Sequence, residues 1–363
     1  MRVKLKDVCV RGSSNLKQSD VIDKNGEYPI YGAAGYIGNV DFYHQDQPYV
    51  AVVKDGAGIG RTSLHPAKSS VIGTMQYLLP KENVLPEYLC YVVRYMHLEK
   101  YFTGATIPHI YFKDYKNEVF NLDTLDRQRE IVDILGKTES IIALRQQELQ
   151  KLDGLIKARF VEMFGDPVKN EKGWITDTVD SLCIEIYGGG TPSKAHPEYY
   201  EDGDIPWVSS KDMKTDILTD SQIKINQVGV ENSTARMVPV NSVVMVIRSG
   251  ILKHTLPVAI NAVPITVNQD LKVFIPSERI LTRFLAVQFK MHEKDILTGV
   301  RAVTADNIEF NSLKQRKLIV PSIELQQEYV SFLKQIDKSK VAVQKSLDKA
   351  QQLFDSLMQK YFG

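Results

Sequence analysis

The sequence predicts a mixed α/β (α+β) chain in which two related globular domains are joined by two long helices that form an antiparallel coiled coil. Residues 125–165 contain no proline and repeat apolar side chains with a period of 3.5, which is typical of a coiled coil. Residues 323–363 align with them without a gap, at a constant shift of 198 residues. Each long segment follows a block that mixes strand and helix patterns, which predicts two domains of both element types.

The seam of each long segment is a row of apolar residues at alternating steps of four and three. The predicted seam residues are Ile131, Leu135, Ile142, Leu149, Leu152 and Ile156 in the first segment, and Leu333, Ile336, Val343, Leu347, Phe354 and Leu357 in the second. Polar interruptions fall at Thr138, Arg145 and Arg159 in the first segment but at Lys340 in the second. Because differently placed polar residues favour one register, we expect the two helices to pair. The alternative is that each helix packs only on its own domain.

The first block mixes short strands with one helix. Apolar alternation and continuous apolar runs indicate strands, and an apolar period of 3.6 indicates a helix. In chain order, the predicted elements are a short strand over Val3, Leu5 and Val8, a buried strand over residues 49–53, a helix over residues 86–102 and a polar, turn-rich loop over residues 103–110.

The second block repeats this plan. Gly165 followed by Pro167 is expected to end the first long helix. A buried strand over residues 243–247 and a helix over residues 280–291 then follow in the same order as in the first block. One unit is thus written twice with a period near 200 residues, which indicates a duplicated domain. The predicted segments are domain 1 (1–124), the central long helix (125–165), domain 2 (166–322) and the C-terminal long helix (323–363).

Composition is that of an ordinary globular protein. The 363 residues carry a net charge of +1 and are 43% hydrophobic, and no apolar run is long enough to span a membrane. The N-terminus lacks the apolar core of a signal peptide, and the three cysteines are scattered. These features predict a cytoplasmic protein with reduced thiols. The histidines show no metal-ligand spacing, so neither a metal nor another cofactor is expected on this chain.

The two long helices set a geometry. About 39 residues at 1.5 Å per residue make a helix of about 58 Å. An antiparallel pair would place the two domains at opposite ends, related by a pseudo-twofold axis. Two related but different domains at a fixed spacing suggest a protein that binds a long, regularly repeating molecule at two places, and duplex DNA is such a molecule. The spacing corresponds to roughly one to two turns of the double helix.

Any positive surface that contacts DNA must be local, because charges nearly cancel in both domains. Residues 1–124 contain 14 Lys/Arg and 13 Asp/Glu, and residues 166–322 contain 18 and 19. Candidate contacts lie in polar loops beside strand ends or glycines, where a backbone can approach DNA closely. The candidates are Lys54, Arg61, Thr106, His109, Thr191, Ser193, Lys194, Ser209, Lys211, Arg248, Lys253, His254 and Arg301. The alternative for each is a solvated surface residue.

An enzymatic reading finds no support in the motifs. Gly56, Gly58 and Gly60 do not have the spacing of a dinucleotide fingerprint, and no Gly-Lys-Ser/Thr phosphate loop occurs. Asp-x-Lys triplets are present, but nothing supplies the other carboxylates that a nuclease metal would need. No methyltransferase motif of the Asn-Pro-Pro-Tyr type is found.

Several motifs in their expected places resemble one family. Residues 125–132 (LDRQREIV) open the first long helix as the central conserved region of Type I restriction–modification specificity subunits does. Residues 190–193 (GTPS) and 203–212 (GDIPWVSSKD) resemble a common form of that family's target recognition domain. Residues 28–32 (YPIYG) with 54–56 (KDG) resemble a form seen in its other domain. The resemblance covers essentially the whole chain.

The resemblance implies a non-catalytic subunit. Each globular domain would be a target recognition domain that reads one half of a bipartite, asymmetric sequence in double-stranded DNA. The coiled coil would serve as a ruler and as the dock for two methyltransferase subunits, and restriction (motor-nuclease) subunits would join that core. S-adenosylmethionine would bind to the methyltransferase, which methylates adenine, and not to this chain. The alternative left open is a stand-alone bipartite DNA-binding regulator without a restriction system.

Overall fold

The structure, a computed structural model, describes residues 1–21, 24–104, 107–298, 301–302 and 306–363, with the backbone alone at 301–302. The chain divides into two compact units. Unit 1 comprises Met1–Glu148 and Val343–Gly363, and unit 2 comprises Leu149–Ala342. Within the described residues, every helix is too short or too polar to cross a lipid bilayer.

Unit 1 contains short strands, short helices and parts of both long helices. Its strands are β1 (Arg2–Lys4), β2 (Cys9–Ser13), β3 (Tyr28–Gly32), β4 (Gly35–Val40), β5 (Tyr49–Val53), β6 (Thr62–His65), β7 (Ser70–Val71), β8 (Met75–Pro80) and β9 (Val119–Asn121). Its helices are α1 (Leu5–Val8), α2 (Pro86–Tyr95), α3 (Phe112–Tyr115) and the first part of α4 (Leu125–Phe164), with 3₁₀ turns at Gln18–Asp20 and Leu98–Tyr101.

The central sheet of unit 1 is antiparallel, in the order β2-β8-β5-β6. All five residues of β5 are buried, which confirms the predicted strand over residues 49–53. Helix α2 covers one face of this sheet, so that Val50 and Val52 share a core with Tyr88 and Leu89. A smaller sheet, β4-β3-β7, pairs β3 with β7 in parallel.

Unit 2 has the same elements in the same order, with additions. Its strands are β10 (Thr176–Thr178), β11 (Cys183–Gly188), β12 (Ile205–Val208), β13 (Ile217–Leu218), β14 (Lys224–Ile225), β15 (Val243–Val246), β16 (Val258–Asn261), β17 (Thr266–Val267), β18 (Leu271–Pro276), β19 (Arg301–Ala302), β20 (Asp306–Asn307) and β21 (Lys317–Ile319). Its helices are the rest of α4, α5 (Val179–Leu182), α6 (Gln227–Glu231), α7 (Thr282–Met291), α8 (Glu293–Thr298), α9 (Phe310–Lys314) and the first part of α10 (Ile323–Phe362), with 3₁₀ turns at Pro197–Tyr199 and Gly250–Lys253.

The sheets of the two units correspond strand by strand. In unit 2 the order is β11-β18-β15-β16-β13, which repeats β2-β8-β5-β6 and adds β13 in parallel at the edge. The small sheet β14-β12-β17 repeats β4-β3-β7, including its one parallel pair. The duplication predicted from the sequence is therefore present in the topology.

The long helices α4 and α10 each contain 40 residues and pack together within each unit. In unit 2 the pairing is antiparallel, because Arg159 bonds Glu328 at 2.9 Å while the earlier Asp153 bonds the later Lys340. In unit 1 the guanidinium of Arg127 lies over the ring of Tyr361. Helix α4 ends at Phe164, and the next residue, Gly165, has a φ of 77°, a left-handed conformation that glycine adopts readily.

The predicted seam residues all lie on the less exposed side of the two helices. Ile131, Leu135, Leu333, Ile336 and Val343 are buried, and Ile142, Leu149, Leu152, Ile156, Leu347, Phe354 and Leu357 are half-buried. A period of 3.5 thus coincides with the packed face of each helix.

Two predicted elements of unit 1 were wrong. Val3, Leu5 and Val8 do not share a strand, because Leu5–Val8 form a helical turn in which Leu5 and Val8, three residues apart, both face the core. The carboxylate of Asp7 accepts a hydrogen bond from the Lys4 backbone N–H and fixes this turn. The helix predicted over residues 86–102 stops at Tyr95, because His97 adopts a left-handed φ of 51°.

Candidate nucleic-acid interface

In unit 1 the loop that follows β5 is hydrogen-bonded to a second segment, residues 103–104 and 107–110, which we call the tongue of unit 1. The Gly56 N–H donates to the Pro108 carbonyl at 2.9 Å, and the Ile110 N–H donates to the Lys54 carbonyl at 2.9 Å. Gly56 has a φ of 91°, which a residue with a side chain rarely adopts. Thr103 and His109 exchange two backbone hydrogen bonds of 2.8 Å and close the base of the tongue.

These loops bring Lys54 and His109 together on one carboxylate. The Nδ1 atom of His109 lies 2.7 Å from Oδ1 of Asp55, and the Lys54 ammonium bonds the other oxygen. Burial works to raise the pKa of Asp55, but the hydrogen bonds from Lys54 and His109 outweigh it, so the pKa lies below its usual value. The His109 side chain is 36% exposed, and its Nε2 has no hydrogen-bond partner in the described part of the chain.

Unit 2 contains the same arrangement with different side chains. On the loop after β15, Ile247, Arg248 and Ser249 take the places of Lys54, Asp55 and Gly56, because Arg248 pairs with Asn307 as Asp55 pairs with His109. The paired strands β19 and β20 correspond to the tongue of unit 1, and we call residues 301–302 and 306–308 the tongue of unit 2. The Ser249 N–H donates to the Asp306 carbonyl at 3.0 Å, and the Ile308 N–H donates to the Ile247 carbonyl at 2.8 Å.

A polar turn between β17 and β18 organises the rest of the unit 2 surface. The Arg248 guanidinium bonds Oδ1 of Asp270 at 2.6 Å. Asp270 and Asn268 exchange hydrogen bonds of 3.1 Å, and the Asn268 N–H donates to the Val208 carbonyl at 2.9 Å. The hydroxyl of Thr191 donates to the side-chain oxygen of Gln269, in the same turn. The loops that follow β11, β12 and β15 therefore meet at this turn.

The structure joins some of the predicted candidates and separates others. Six candidates lie on the connected loops, namely Lys54, His109, Thr191, Ser209, Arg248 and Lys253. Ser209 directly follows Val208, and Lys253 forms an ion pair of 3.7 Å with Asp306. Ser193, Lys194, Lys211 and His254 are exposed and make no side-chain ion pair with a described residue. Arg61 is exposed, and its Nε–H donates to the Gly58 carbonyl at 3.5 Å. Thr106 and the side chain of Arg301 lie outside the described residues.

Three polar residues of this surface were missed at the sequence level. Asp55, Asn268 and Asp270 orient the candidate cations, yet each reads as an ordinary turn residue. Their common signal is position, because each directly follows or separates short apolar strands. Across the described residues, no group of three or more His, Cys, Asp or Glu side chains is placed to share a metal ion.

The sequence matches the profile of the Type I restriction modification DNA specificity domain twice, over residues 1–153 and 171–351. It is 35% identical over 213 residues to the EcoR124I/EcoR124II specificity subunit of a Type I restriction enzyme from Escherichia coli, a match that covers 58% of this chain. The match covers 52% of that relative, so the chain spans about half its length.

Two solved structures have the same fold. The S subunit of a Type I restriction–modification system from M. genitalium superposes with a TM-score of 0.63 at 14% identity, over 100% of this chain and 96% of that one. A chain from a study of complex assembly and conformational transition of the type I R-M system superposes with a TM-score of 0.57 at 13% identity, over 99% and 97%.

Proposed function

The chain belongs to the family of Type I restriction–modification DNA specificity domains, and from that membership we propose that it selects a bipartite, asymmetric DNA sequence for a partner methyltransferase. Each target recognition domain reads one half of the sequence in double-stranded DNA. The proposed domains are residues 1–124 and 166–322, followed by conserved helices at 125–165 and 323–363. The chain itself carries no catalysis.

The observation that carries this proposal is one backbone frame with two sets of side chains. In each unit the loop after the central strand is hydrogen-bonded to a tongue. Unit 1 presents Lys54, Asp55 and His109 on this frame, whereas unit 2 presents Arg248 and Ser249. Two domains that recognise different DNA sequences can share one backbone frame but require different polar side chains on it, because the side chains that reach base edges give the specificity.

The polar groups suit the recognition of base edges. With Nδ1 held by Asp55, the ring of His109 is fixed in orientation and offers Nε2 to a base or a phosphate. The guanidinium of Arg248 is held on one side by Asp270, which leaves other N–H donors for the O6 and N7 acceptors of guanine. Carboxylates that position such side chains restrict the orientations they sample and thereby sharpen discrimination.

The partners in this proposal are two methyltransferase subunits, with restriction subunits joining the same core in the cytoplasm. S-adenosylmethionine belongs to the methyltransferase, which transfers its methyl group to adenine. The unit 1 part of α4 offers a docking surface, because Ile134, Ile141 and Leu144 are 36%, 46% and 62% exposed and lie on one helix face by their spacing of seven and three. Exposed apolar residues in such a row are typical of a protein interface.

The test is a map of methylated adenines in cells that express this chain together with its methyltransferase subunit. We expect a split motif with two defined halves and an unspecified gap, and no such motif when the methyltransferase is expressed alone. A well-formed complex that adds no methylation would contradict the proposal. Specific binding to a bipartite site by the purified chain alone would instead favour the stand-alone regulator.

A further inference from the structure

Unit 1 contains a basic cavity that is distinct from the Asp55–His109 pair and adjacent to it. The cavity has a volume of about 310 Å³. The charged residues that line it are all cations, namely Arg11, Lys54, Lys113 and Lys116. Among the described residues, Lys54 forms an ion pair with Asp55, whereas Arg11, Lys113 and Lys116 form none. Because these three cations share the cavity without compensating carboxylates, they repel each other, and an anion would relieve that repulsion.

Tyr111 connects this cavity to the proposed base-reading loop. Its ring stacks on the His109 ring with centroids 6.3 Å apart, and the Lys113 ammonium lies 5.2 Å from its centroid. Tyr111 also lines the cavity and is 49% exposed. A molecule that reaches His109 is therefore next to the cavity.

Unit 2 carries a corresponding group of cations. Arg248 lies on the loop that corresponds to that of Lys54 and Asp55. Phe310 with Lys314 takes the place of Phe112 with Lys116, but Lys314 forms an ion pair of 2.8 Å with Asp180. On the neighbouring strand Lys272 takes the place of Gln76, and its ammonium lies 4.7 Å from the centroid of the Phe310 ring. Burial, and then the charge of Arg248, lower the pKa of Lys272, as expected for a lysine that lacks a counter-ion. Lys272 forms no ion pair with any described carboxylate.

We propose that the basic cavity of unit 1 binds one phosphate of the DNA backbone next to the base that His109 contacts, and that Lys272 does the same in unit 2. This inference rests on the proposed DNA-reading function and adds a contact that is independent of base sequence. The shared ligand chemistry is a phosphate oxyanion, which free inorganic phosphate also offers. The continuity with His109 favours DNA.

The test uses the assembled complex of this chain with its methyltransferase and a short duplex that contains the methylated motif. Arg11→Ala with Lys116→Ala should weaken binding to motif and non-motif duplexes by the same factor, roughly tenfold near physiological salt. The slope of log affinity against log salt should fall by about one. Lys6→Ala with Lys17→Ala is the matched control, because it removes the same charge from exposed positions of unit 1.

Neutral methylphosphonates placed one at a time along the duplex locate the phosphate. At one position the neutral group should lower the DNA affinity of the wild-type complex by the same factor as the double substitution. At that position it should not lower the affinity of the Arg11/Lys116 variant any further. Unchanged affinity and salt slope in that variant, with motif discrimination intact, would overturn the phosphate inference alone. Equal affinity of the wild-type complex for motif and non-motif duplexes would count against the proposed function instead. Thermal unfolding with and without inorganic phosphate tests for a free-anion site. If the Arg11/Lys116 variant loses stabilisation by inorganic phosphate but keeps its DNA affinity, the cavity binds a free anion and the DNA assignment is overturned.

Discussion

Gln128 accepts a hydrogen bond from the Leu85 backbone N–H on its side-chain oxygen, at 2.8 Å, and thereby fixes the start of α4 against the start of α2. Its amide N–H groups donate to the carbonyls of Asn83 and Asp123. Gln326 makes the same set of bonds in unit 2, with the Leu281 N–H at 2.9 Å. Both glutamines are fully buried. The glutamine of the LDRQRE motif is therefore a structural link between a domain and its long helix.

Replacing Gln128 with Ala should destabilise unit 1. The substitution removes a buried side chain and leaves the partly buried Leu85 N–H and two carbonyls without their partner, which costs about 1–3 kcal/mol. Chemical denaturation of the complex, followed by tryptic cleavage within residues 1–124, measures the change. Gln146→Ala, at an exposed position of the same helix, is the control and should leave stability unchanged. Equal stability of the two variants would contradict the role given to Gln128.

Asp55 should matter for base reading through His109. Removing the carboxylate in Asp55→Ala frees the imidazole and leaves the Lys54 charge unpaired, so we expect a loss of about tenfold in discrimination at one half of the motif and none at the other. Methylation rates on duplexes with single base changes in each half provide the measurement. Asp46→Ala, at an exposed position of unit 1, serves as the control. Losses spread equally over both halves would argue against a local reading role.

His292 should make the stability of unit 2 depend on pH. The side chain is 2% exposed, and neither ring nitrogen has a hydrogen-bond partner among the described residues. Burial, and then the charge of Arg316, lower its pKa to about 4, although Asp295 and Asp166 oppose the shift. Between pH 6.5 and pH 4, His292 binds a proton in the unfolded chain but stays neutral in the folded chain. Stability should therefore fall from pH 6.5 towards pH 4, by about 1 kcal/mol per pH unit, and level off below.

The matching variant is His292→Leu, which keeps the volume and removes the titrating group. Thermal unfolding between pH 7.5 and pH 5 should show a smaller decrease in Tm for this variant than for the wild type. His254→Leu changes an exposed histidine and should keep the wild-type slope. A slope unchanged by His292→Leu would show that other groups cause the pH dependence.

The exposed row on α4 should be needed for assembly. Ile141→Asp with Leu144→Asp places two charges on the proposed docking surface, so binding of the methyltransferase subunits should weaken by at least tenfold, since an unpaired buried charge is costly. Titration of the methyltransferase followed by mass photometry gives the stoichiometry and the affinity. Gln147→Asp adds a charge at another exposed position of the helix and should assemble normally. Normal assembly of the double variant would move the docking surface elsewhere.

The sequence predicted the parts of the fold that rest on periodicity. The period of 3.5 identified both long helices, and the continuous apolar run of residues 49–53 identified β5. The strand predicted over Leu5–Val8 was wrong, because a spacing of three also fits a helical turn. The hydrogen bond from the Lys4 N–H to Asp7 stabilises that turn. The prediction also failed at His97, whose left-handed backbone has no strong signature in the sequence.

The candidate surface was less predictable than the fold. Turn-rich loops at strand ends indicated Lys54, His109 and Arg248 as candidate contacts, but they did not indicate which of these residues meet. That depends on contacts between loops distant in sequence, such as the Gly56–Pro108 and Asn268–Val208 hydrogen bonds. Asp55 and Asp270 were missed because carboxylates are not expected to contact DNA, and the side chains that they hold, His109 and Arg248, become visible only in the structure.

The paired long helices should act as a ruler between the two halves of the motif. One heptad inserted between Ile142 and Leu149, with a matching heptad between Ile336 and Val343, preserves the period of both seams. It lengthens each helix by about 10 Å, which corresponds to about three base pairs of duplex DNA. The map of methylated adenines should then show a gap longer by about three base pairs and unchanged bases in both halves. A three-residue insertion at the same places breaks the seam and should abolish methylation, whereas altered bases in either half of the heptad variant would refute the ruler.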